Sequence, residues 1–312
     1  MKLVSLLAFV SLISSALAVY VTSADGTQIW AESTGDPTQP AVVFIPGFSC
    51  SSLAFEKQWG DPIMNSNLFM VRYDVRGQGI SGQPMNQSFY GSQQFAQDFK
   101  AVIDYFGVGN KKPILAGWSM GGITAADVAT YYGVNLIGGV VLMGSFPYRS
   151  MHPLVATPWI LSFIPQLLNY SLPAFGPTAK TFAESCVAYG GQLDQGTKYT
   201  WMGALAGQHP DVRVWSIPHT QNESALMAAN RTIPYLVLHG TMDKHVDGQN
   251  LRNFMNNNFG NFVFRLWNNT GHASFFDNPG GANFEIIAFA RRLRDGWTIL
   301  SSSPDSAIFP PP

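Results

Sequence analysis

Continuous apolar runs of strand length recur along the chain and are separated by turns and amphipathic stretches. The segment VYVTSADGTQIWAES predicts two strands joined at Asp25 and Gly26, because Asp-Gly supplies the positive φ angles of a hairpin turn. Six further runs also predict strands, and these are AVVFIPG, LFMVRYD, PILAGWS, GGVVLMGS, PYLVLHG and FVFRLWN. Their hydrophobicity is continuous rather than alternating, which is typical of strands covered on both faces.

Helical periodicity appears between several of these runs. In SQQFAQDFKAVIDYFG, apolar residues recur at spacings of three and four, at Phe95, Phe99, Val102, Ile103 and Phe106. Strands that alternate with helices predict an α/β fold with a mostly parallel central sheet and helices on both faces. In such sheets, reactive groups collect at the carboxyl ends of the strands.

The strand pattern lapses after the sixth predicted strand. This middle segment is rich in aromatic residues and prolines and carries only short helical pieces, which predicts a helical cap inserted over the pocket. We interpret His152, His209 and His219 as ordinary residues of that cap. The predicted domain organisation is a signal peptide at 1–18, a first part of the core at 19–144, the cap at 145–230, a second part of the core at 231–297 and a flexible tail at 298–312.

The first residues, MKLVSLLAFVSLISSALA, have the organisation of a secretory signal. Lys2 precedes an apolar stretch that runs from Leu3 to Ile13, and the small residues Ala16 and Ala18 form an A-x-A cleavage site, which predicts a secreted protein that starts near Val19. A membrane anchor is the alternative, but the apolar run is shorter than the about 20 residues that span a bilayer. Five N-x-[ST] sequons agree with export and predict a glycoprotein, at Asn86, Asn169, Asn222, Asn230 and Asn268.

Composition excludes several classes of protein. The 312 residues are 46% hydrophobic and 12% charged, which excludes a disordered chain, and the net charge of −1 without a basic run excludes a nucleic-acid partner. After the first residues, no stretch approaches membrane-spanning length, so no stable membrane insertion is expected. The only cysteines are Cys50 and Cys186, which leaves either one disulfide or two buried thiols. No spacing suggests a metal site, and no cofactor is expected.

The stretch GWSMGG places Ser119 between a predicted strand and a predicted helix. A sharp strand-to-helix turn strains the serine backbone, and glycines at 117 and 121 remove side chains that would collide there. The same pattern also fits a plain turn, but the strand before it and the helix after it favour a nucleophile.

A serine nucleophile needs a base and an acid. Downstream, Asp243 follows one predicted strand and His272 follows the last, so the order Ser, Asp, His runs along the chain. The competing candidates are a buried, backbone-bonded His239, an exposed loop residue at His245, and two further acids, Asp247 and Asp277. The oxyanion donors are expected to be the N–H groups of Met120 and of Phe48, in the loop after AVVFIPG.

Five motifs in this order resemble the α/β-hydrolase superfamily, in the subgroup that also holds esterases, cofactor-free haloperoxidases, epoxide hydrolases and dehalogenases. They are Ile45-Pro46-Gly47-Phe48, Tyr73 to Ser81, Gly117 to Gly121, Gly240 to Asp243, and Gly271-His272. Many relatives have a histidine where this chain has Pro46. The resemblance disfavours epoxide hydrolysis and dehalogenation, because those relatives have aspartate where this chain has Ser119. Asp74 and Arg76 are expected to tie the turn in the second motif.

These residues together predict a serine hydrolase that acts on a small-molecule ester, thioester or lactone with an apolar part. Two different functions remain open at this point. The same residues could run perhydrolysis, as in the haloperoxidase relatives. A pocket that binds a ligand without turnover is the second possibility, which measured hydrolysis would exclude.

Overall fold

The computed structural model describes residues 17–169 and 171–296, and all eight predicted strands are confirmed within them. The strands are β1 (Leu17–Thr22), β2 (Gln28–Gly35), β3 (Ala41–Ile45), β4 (Phe69–Tyr73), β5 (Ile114–Trp118), β6 (Gly139–Met143), β7 (Tyr235–Gly240) and β8 (Phe262–Trp267).

The eight strands form one sheet in the order β1-β2-β4-β3-β5-β6-β7-β8. β1 and β2 are an antiparallel hairpin, and β2 also pairs antiparallel with β4. The remaining pairs are parallel, as strands joined by crossover helices must be. The predicted hairpin turn is confirmed, since Gly26 has a φ of 87°.

Thirteen α-helices lie in the described part of the chain. They are α1 (Glu56–Trp59), α2 (Pro62–Asn67), α3 (Ser92–Tyr105), α4 (Thr124–Tyr132), α5 (His152–Val155), α6 (Pro158–Leu167), α7 (Leu172–Ser185), α8 (Gln195–Gly207), α9 (Pro210–Ser216), α10 (Ser224–Ala228), α11 (Gly248–Asn258), α12 (Ser274–Asp277) and α13 (Pro279–Arg294). Short 3-10 helices occupy Ser52–Phe55, Gln87–Tyr90, Gly109–Lys111, Ser119–Ile123, Val134–Leu136, Arg149–Met151 and Gly190–Gln192. None of the described helices is long and apolar enough to cross a bilayer.

The sheet separates two apolar cores. Successive side chains of a strand point to opposite faces, so in β3 Val43 packs into one core while Val42 and Phe44 pack into the other. Cys50 and Cys186 both lie in the second core as buried free thiols, and burial raises the pKa of Cys50 to about 12. The sequence left open either one disulfide or two buried thiols, and the structure has two buried thiols.

The segment predicted as a cap, residues 145–230, contains α5 to α10 and leaves the sheet after β6. Most of the predicted signal peptide lies outside the described residues, although Leu17 and Ala18 begin β1. The predicted tail, 298–312, also lies outside them. The boundaries drawn from the sequence remain predictions.

Candidate active site

Ser119 directly follows β5 and opens a 3-10 helix, in the sharp turn that the sequence predicts. Its φ is 51°, a left-handed conformation that residues other than glycine rarely adopt. The flanking glycines allow the turn to close. A Cβ atom at Gly117 would lie 2.3 Å from the amide nitrogen of Gly122, and one at Gly121 would lie 2.2 Å from the carbonyl oxygen of Ile45. The backbone strain of the turn therefore lies on Ser119.

Asp243 and His272 meet beyond the ends of β7 and β8. The Nδ1 of His272 is 2.9 Å from one carboxylate oxygen of Asp243 and 3.0 Å from the other, and both side chains are almost fully buried. The carboxylate also accepts the backbone N–H groups of His245 and Val246, at 2.7 and 3.0 Å. These two amides fix the orientation of the carboxylate against the imidazole.

The charge state of Asp243 sets the tautomer of His272. Burial alone would raise the pKa of Asp243, but the electrostatic interaction and the hydrogen bond with His272 outweigh burial and hold that pKa well below its ordinary value. An ionised carboxylate can only accept, so in the neutral form of the imidazole Nδ1 carries the hydrogen and Nε2 carries the lone pair. The Nε2 atom is buried and has no hydrogen-bond partner among the described residues. It is therefore free to act as a base.

The backbone just after β6 packs closely against the loop that carries His272, which is called the histidine loop below, and against the turn at Ser119. A Cβ atom at Gly144, just after β6, would lie 2.2 Å from the carbonyl oxygen of His272 and 3.0 Å from its Nδ1. Gly144 has a φ of 51°, so a larger residue there would be strained as well as crowded. The next residue, Ser145, donates its hydroxyl hydrogen to the carbonyl oxygen of Ser119. The end of β6 thus holds both loops.

Two backbone amides flank the serine. Met120 follows it in the chain, and the Phe48 loop lies against it, since a Cβ atom at Gly47 would be 3.0 Å from the Cβ of Ser119. Neither the Phe48 nor the Met120 N–H donates to another residue within 17–169 or 171–296. Both amides are therefore available to a ligand oxygen.

The Tyr73 to Ser81 run supports the loop that carries Phe48. Gln78 accepts the N–H of Cys50 at 3.0 Å, and Asp74 accepts the N–H of Ser52 at 2.7 Å. Arg76 is fully buried and pairs with two carboxylates. The predicted structural role of Asp74 and Arg76 is confirmed.

The histidine loop is bound to the cap as well as to the core. The carboxylate of Asp277 accepts the N–H of Gly271 at 2.7 Å and that of Ala188, a cap residue, at 2.9 Å. The N–H of Ala273 donates to the carbonyl oxygen of Cys186 at 2.6 Å. Asp277 is therefore a clamp between cap and loop and does not contact His272 as the acid would.

Ser119, Met120, Phe48 and His272 line one pocket between the sheet and the cap. The pocket contains about 580 Å³ of empty space, a volume that includes the open solvent at its mouth. Its remaining walls are mostly apolar and come from Phe146, Arg149, His152, Ile160, Ile164, Leu167, Phe182, Ile217, His245 and Val246. The structure thus brings together the predicted nucleophile, base and oxyanion donors, and Asp243 lies behind the base.

The expectation that His245 is an exposed loop residue is wrong. Its side chain is buried because the cap covers it, stacked between Trp159 and Phe182, with Nε2 2.7 Å from the hydroxyl of Ser185. Its ring centre is 4.1 Å from that of His272. No local pattern marks this position, since the burying residues come from distant cap helices.

His239 and Asp247 have structural roles. His239 is buried, and its Nε2 is 3.1 Å from the carbonyl oxygen of Val246, which confirms the sequence interpretation. Asp247 caps α11 by accepting two backbone N–H groups. The sequence interpretation of His152 and His219 as ordinary cap residues is incomplete. His152 lines the pocket, and the Nε2 atom of His219 is 3.0 Å from the carboxylate of Asp127 in α4.

A family model described as the alpha/beta hydrolase family matches residues 42–283. The chain belongs to the alpha/beta hydrolase family. Among curated proteins, this α/β hydrolase is similar to the probable oxidoreductase EphD of Mycobacterium tuberculosis, with 36% identity over 104 residues, which are 33% of this chain and 17% of that protein. It is also 34% identical to the human serine hydrolase BPHL over 143 residues, 43% of this chain and 47% of BPHL. The chain thus matches less than half the length of either relative.

Solved structures share the fold of this α/β hydrolase over most of its length. The esterase RhEst1 from Rhodococcus sp. has a TM-score of 0.79 and 24% identity, over 88% of this chain and 99% of that one. The bromoperoxidase from Bacillus anthracis has a TM-score of 0.72 and 20% identity, over 89% of this chain and 100% of that one. These two likenesses show that the chain shares its fold with solved structures over most of its length.

Buried neutral histidines should make this hydrolase sensitive to mild acid. Burial, with the nearby charge of Arg149, lowers the pKa of His152 to about 4, and burial also lowers the pKa of His239 and His245. An unfolded histidine titrates near about 6.5, so between pH 6.5 and pH 4 the unfolded chain binds more protons and stability falls as the pH falls.

We expect the melting temperature to decrease from pH 7 to pH 5 and the decrease to be smaller in His152→Gln. Thermal unfolding followed by circular dichroism measures both. Equal melting temperatures at pH 7 and pH 5 in the unsubstituted protein would contradict the burial of neutral imidazoles.

Proposed function

We propose that this chain is a secreted serine hydrolase that cleaves a carboxylic ester, thioester or lactone with an apolar part. The hydrogen bond between Asp243 and the Nδ1 of His272 carries the proposal, because it leaves the Nε2 lone pair free in the pocket that Ser119 lines. The reaction needs no metal or cofactor, and the partner is a small-molecule ester.

In the proposed reaction, the hydroxyl oxygen of Ser119 attacks the substrate carbonyl while Nε2 of His272 takes the hydroxyl proton. Asp243 stabilises the imidazolium that forms, and the amides of Phe48 and Met120 hold the oxyanion. His272 then returns the proton to the leaving alcohol, which leaves an acyl group on Ser119. Water, deprotonated by His272, releases the acid by the same steps in reverse order.

The apolar walls of the pocket suit an acyl chain, so chain length should control the rate. Each buried CH₂ group contributes about 0.8 kcal/mol, and two of them correspond to roughly a 15-fold change. We expect kcat/KM for p-nitrophenyl esters to rise about tenfold from acetate to butyrate and then to level off where the cap closes the pocket. Hydrolysis of none of these esters would contradict the proposed activity, and equal rates for all would contradict an acyl site under the cap.

Perhydrolysis is a second candidate, favoured by the likeness to a bromoperoxidase fold. Hydrogen peroxide would replace water in attack on the acyl-enzyme, and the product would be a peracid rather than an acid. Peracid formation from an ester and hydrogen peroxide, compared with hydrolysis of the same ester, separates the two activities.

Secretion of the protein rests on the first residues of the sequence. Removal of 1–18 would leave the last four residues of β1, from Val19 to Thr22, paired with β2. Of the predicted glycosylation sites, Asn230 is half-buried and the other four are exposed. N-terminal sequencing of the protein from culture fluid should start near Val19, and an N terminus at Met1 would contradict processing.

A further inference from the structure

The pocket wall contains one cationic side chain, and no described residue pairs with its charge. Arg149 follows β6 and is half-buried, and it is the only lysine or arginine among the described residues that line the pocket. Its backbone N–H donates to the side-chain oxygen of Gln221 at 2.7 Å, which fixes the main chain at the pocket wall. Its guanidinium has no hydrogen bond and no carboxylate within 4.0 Å in the described part of the chain.

The buried arginines elsewhere in the fold differ from Arg149. Arg72 and Arg76 each pair with two carboxylates, and Arg213 donates to three backbone carbonyl oxygens. The carboxylate of Glu223, a residue close in space to the Arg149 segment, is held instead by the hydroxyl of Ser150 at 2.7 Å. The fold thus satisfies these three buried guanidinium groups and leaves that of Arg149 open to the pocket.

Arg149 keeps its positive charge although its side chain is half-buried. The guanidinium stays protonated at all ordinary pH values, and removing it from water without a counter-charge is unfavourable. Burial lowers the pKa of Arg149, and no neighbouring carboxylate in the described part of the chain opposes that effect. A nearby titratable group, His152, has its pKa lowered to about 4 and is uncharged at neutral pH. The pocket wall therefore carries one net positive charge that a bound anion would neutralise.

We propose that Arg149 forms a carboxylate subsite, so that the preferred substrates are esters that carry a second, free carboxylate, such as half-esters of dicarboxylic acids. The planar guanidinium can bind a carboxylate through two parallel hydrogen bonds, and a single arginine matches a monoanion. The apolar walls would then hold the methylene chain between the carboxylate and the scissile ester. This inference rests on the proposed ester hydrolysis and specifies its substrate class.

A matched pair of esters tests the subsite. The p-nitrophenyl half-ester of glutaric acid and p-nitrophenyl valerate have acyl chains of similar length, and only the former carries a carboxylate. We expect Arg149→Gln to lower kcat/KM for the half-ester by about 10- to 100-fold, mainly through KM, because a charge-assisted hydrogen bond is lost. The valerate should change less than threefold, and Arg149→Lys should retain more of the half-ester activity than Arg149→Gln.

The control variant is Arg292→Gln, which removes the same charge from the exposed face of α13. It should leave the rates of both esters unchanged. Equal losses for both esters in Arg149→Gln, or no loss for the half-ester, would overturn the subsite.

Binding without turnover separates this inference from the proposed function. Calorimetric titration of Ser119→Ala with monomethyl glutarate should show binding that the added Arg149→Gln substitution weakens by about tenfold or more. Such binding in a protein that hydrolyses no ester would refute the proposed activity and support the subsite. Ester hydrolysis together with carboxylate binding that Arg149→Gln does not change would refute the subsite alone.

Discussion

Ser119→Ala should lower kcat for ester hydrolysis by on the order of 10⁶-fold, the loss typical when a serine nucleophile is removed. The same substitution should abolish reaction with a fluorophosphonate probe. In the proposed site, the phosphoryl oxygen of the probe would accept from the Phe48 and Met120 amides, and its phosphorus reacts only with an activated hydroxyl. Mass spectrometric peptide mapping of the labelled, unsubstituted protein should find the adduct on Ser119.

Two nearby serines provide the controls. Ser49 directly follows Phe48 and is buried, with its hydroxyl bonded to Gln208, and Ser145 donates to the carbonyl oxygen of Ser119. Ser49→Ala and Ser145→Ala should still be labelled at Ser119. An adduct on either of these serines, or full activity in Ser119→Ala, would refute the assignment.

Asp243→Asn should fold normally and lose about 10⁴-fold in kcat, as expected when the base is held in the wrong tautomer. The structure gives the reason. One carboxylate oxygen accepts the N–H groups of His245 and Val246, so the amide oxygen of asparagine would take that position. Its NH₂ group would then face Nδ1 of His272. A donor there forces the hydrogen onto Nε2, which can no longer take a proton from serine.

Asp247→Asn is the matched control for this substitution. Asp247 accepts the N–H groups of Gln249 and Asn250 at the start of α11, and asparagine caps helices about as well as aspartate. We expect turnover near that of the unsubstituted protein, measured with the same ester. A large loss in Asp247→Asn with little loss in Asp243→Asn would move the acid to Asp247.

The sheet and the serine turn were predictable because their signals are local. Each strand is a continuous apolar run, and the two glycines around Ser119 mark a turn that no other residue type could close. Asp243 and His272 could be found because they follow the last two strands, whose carboxyl ends meet at one edge of the sheet. Neighbours in the sequence were sufficient for these predictions.

The sequence could not predict contacts that depend on how the cap lies on the sheet. His245 is buried by Trp159 and Phe182, which are far from it in the sequence, and no periodic pattern connects them. The open guanidinium of Arg149 is likewise visible only once its carboxylate-free surroundings are known. Lone polar residues in a segment of short helices carry no information about their partners.

The clamp formed by Asp277 limits how a substrate reaches Ser119. If the cap moved away from the sheet as a rigid body, two hydrogen bonds would have to break. They are the bond from the Ala188 N–H to Asp277 and the bond from the Ala273 N–H to Cys186. Both bonds also anchor the loop that carries His272, so such a movement of the cap would release the loop and displace the proposed base. We therefore expect substrate to enter and product to leave through the mouth of the pocket while these two bonds between the cap and the His272 loop stay intact.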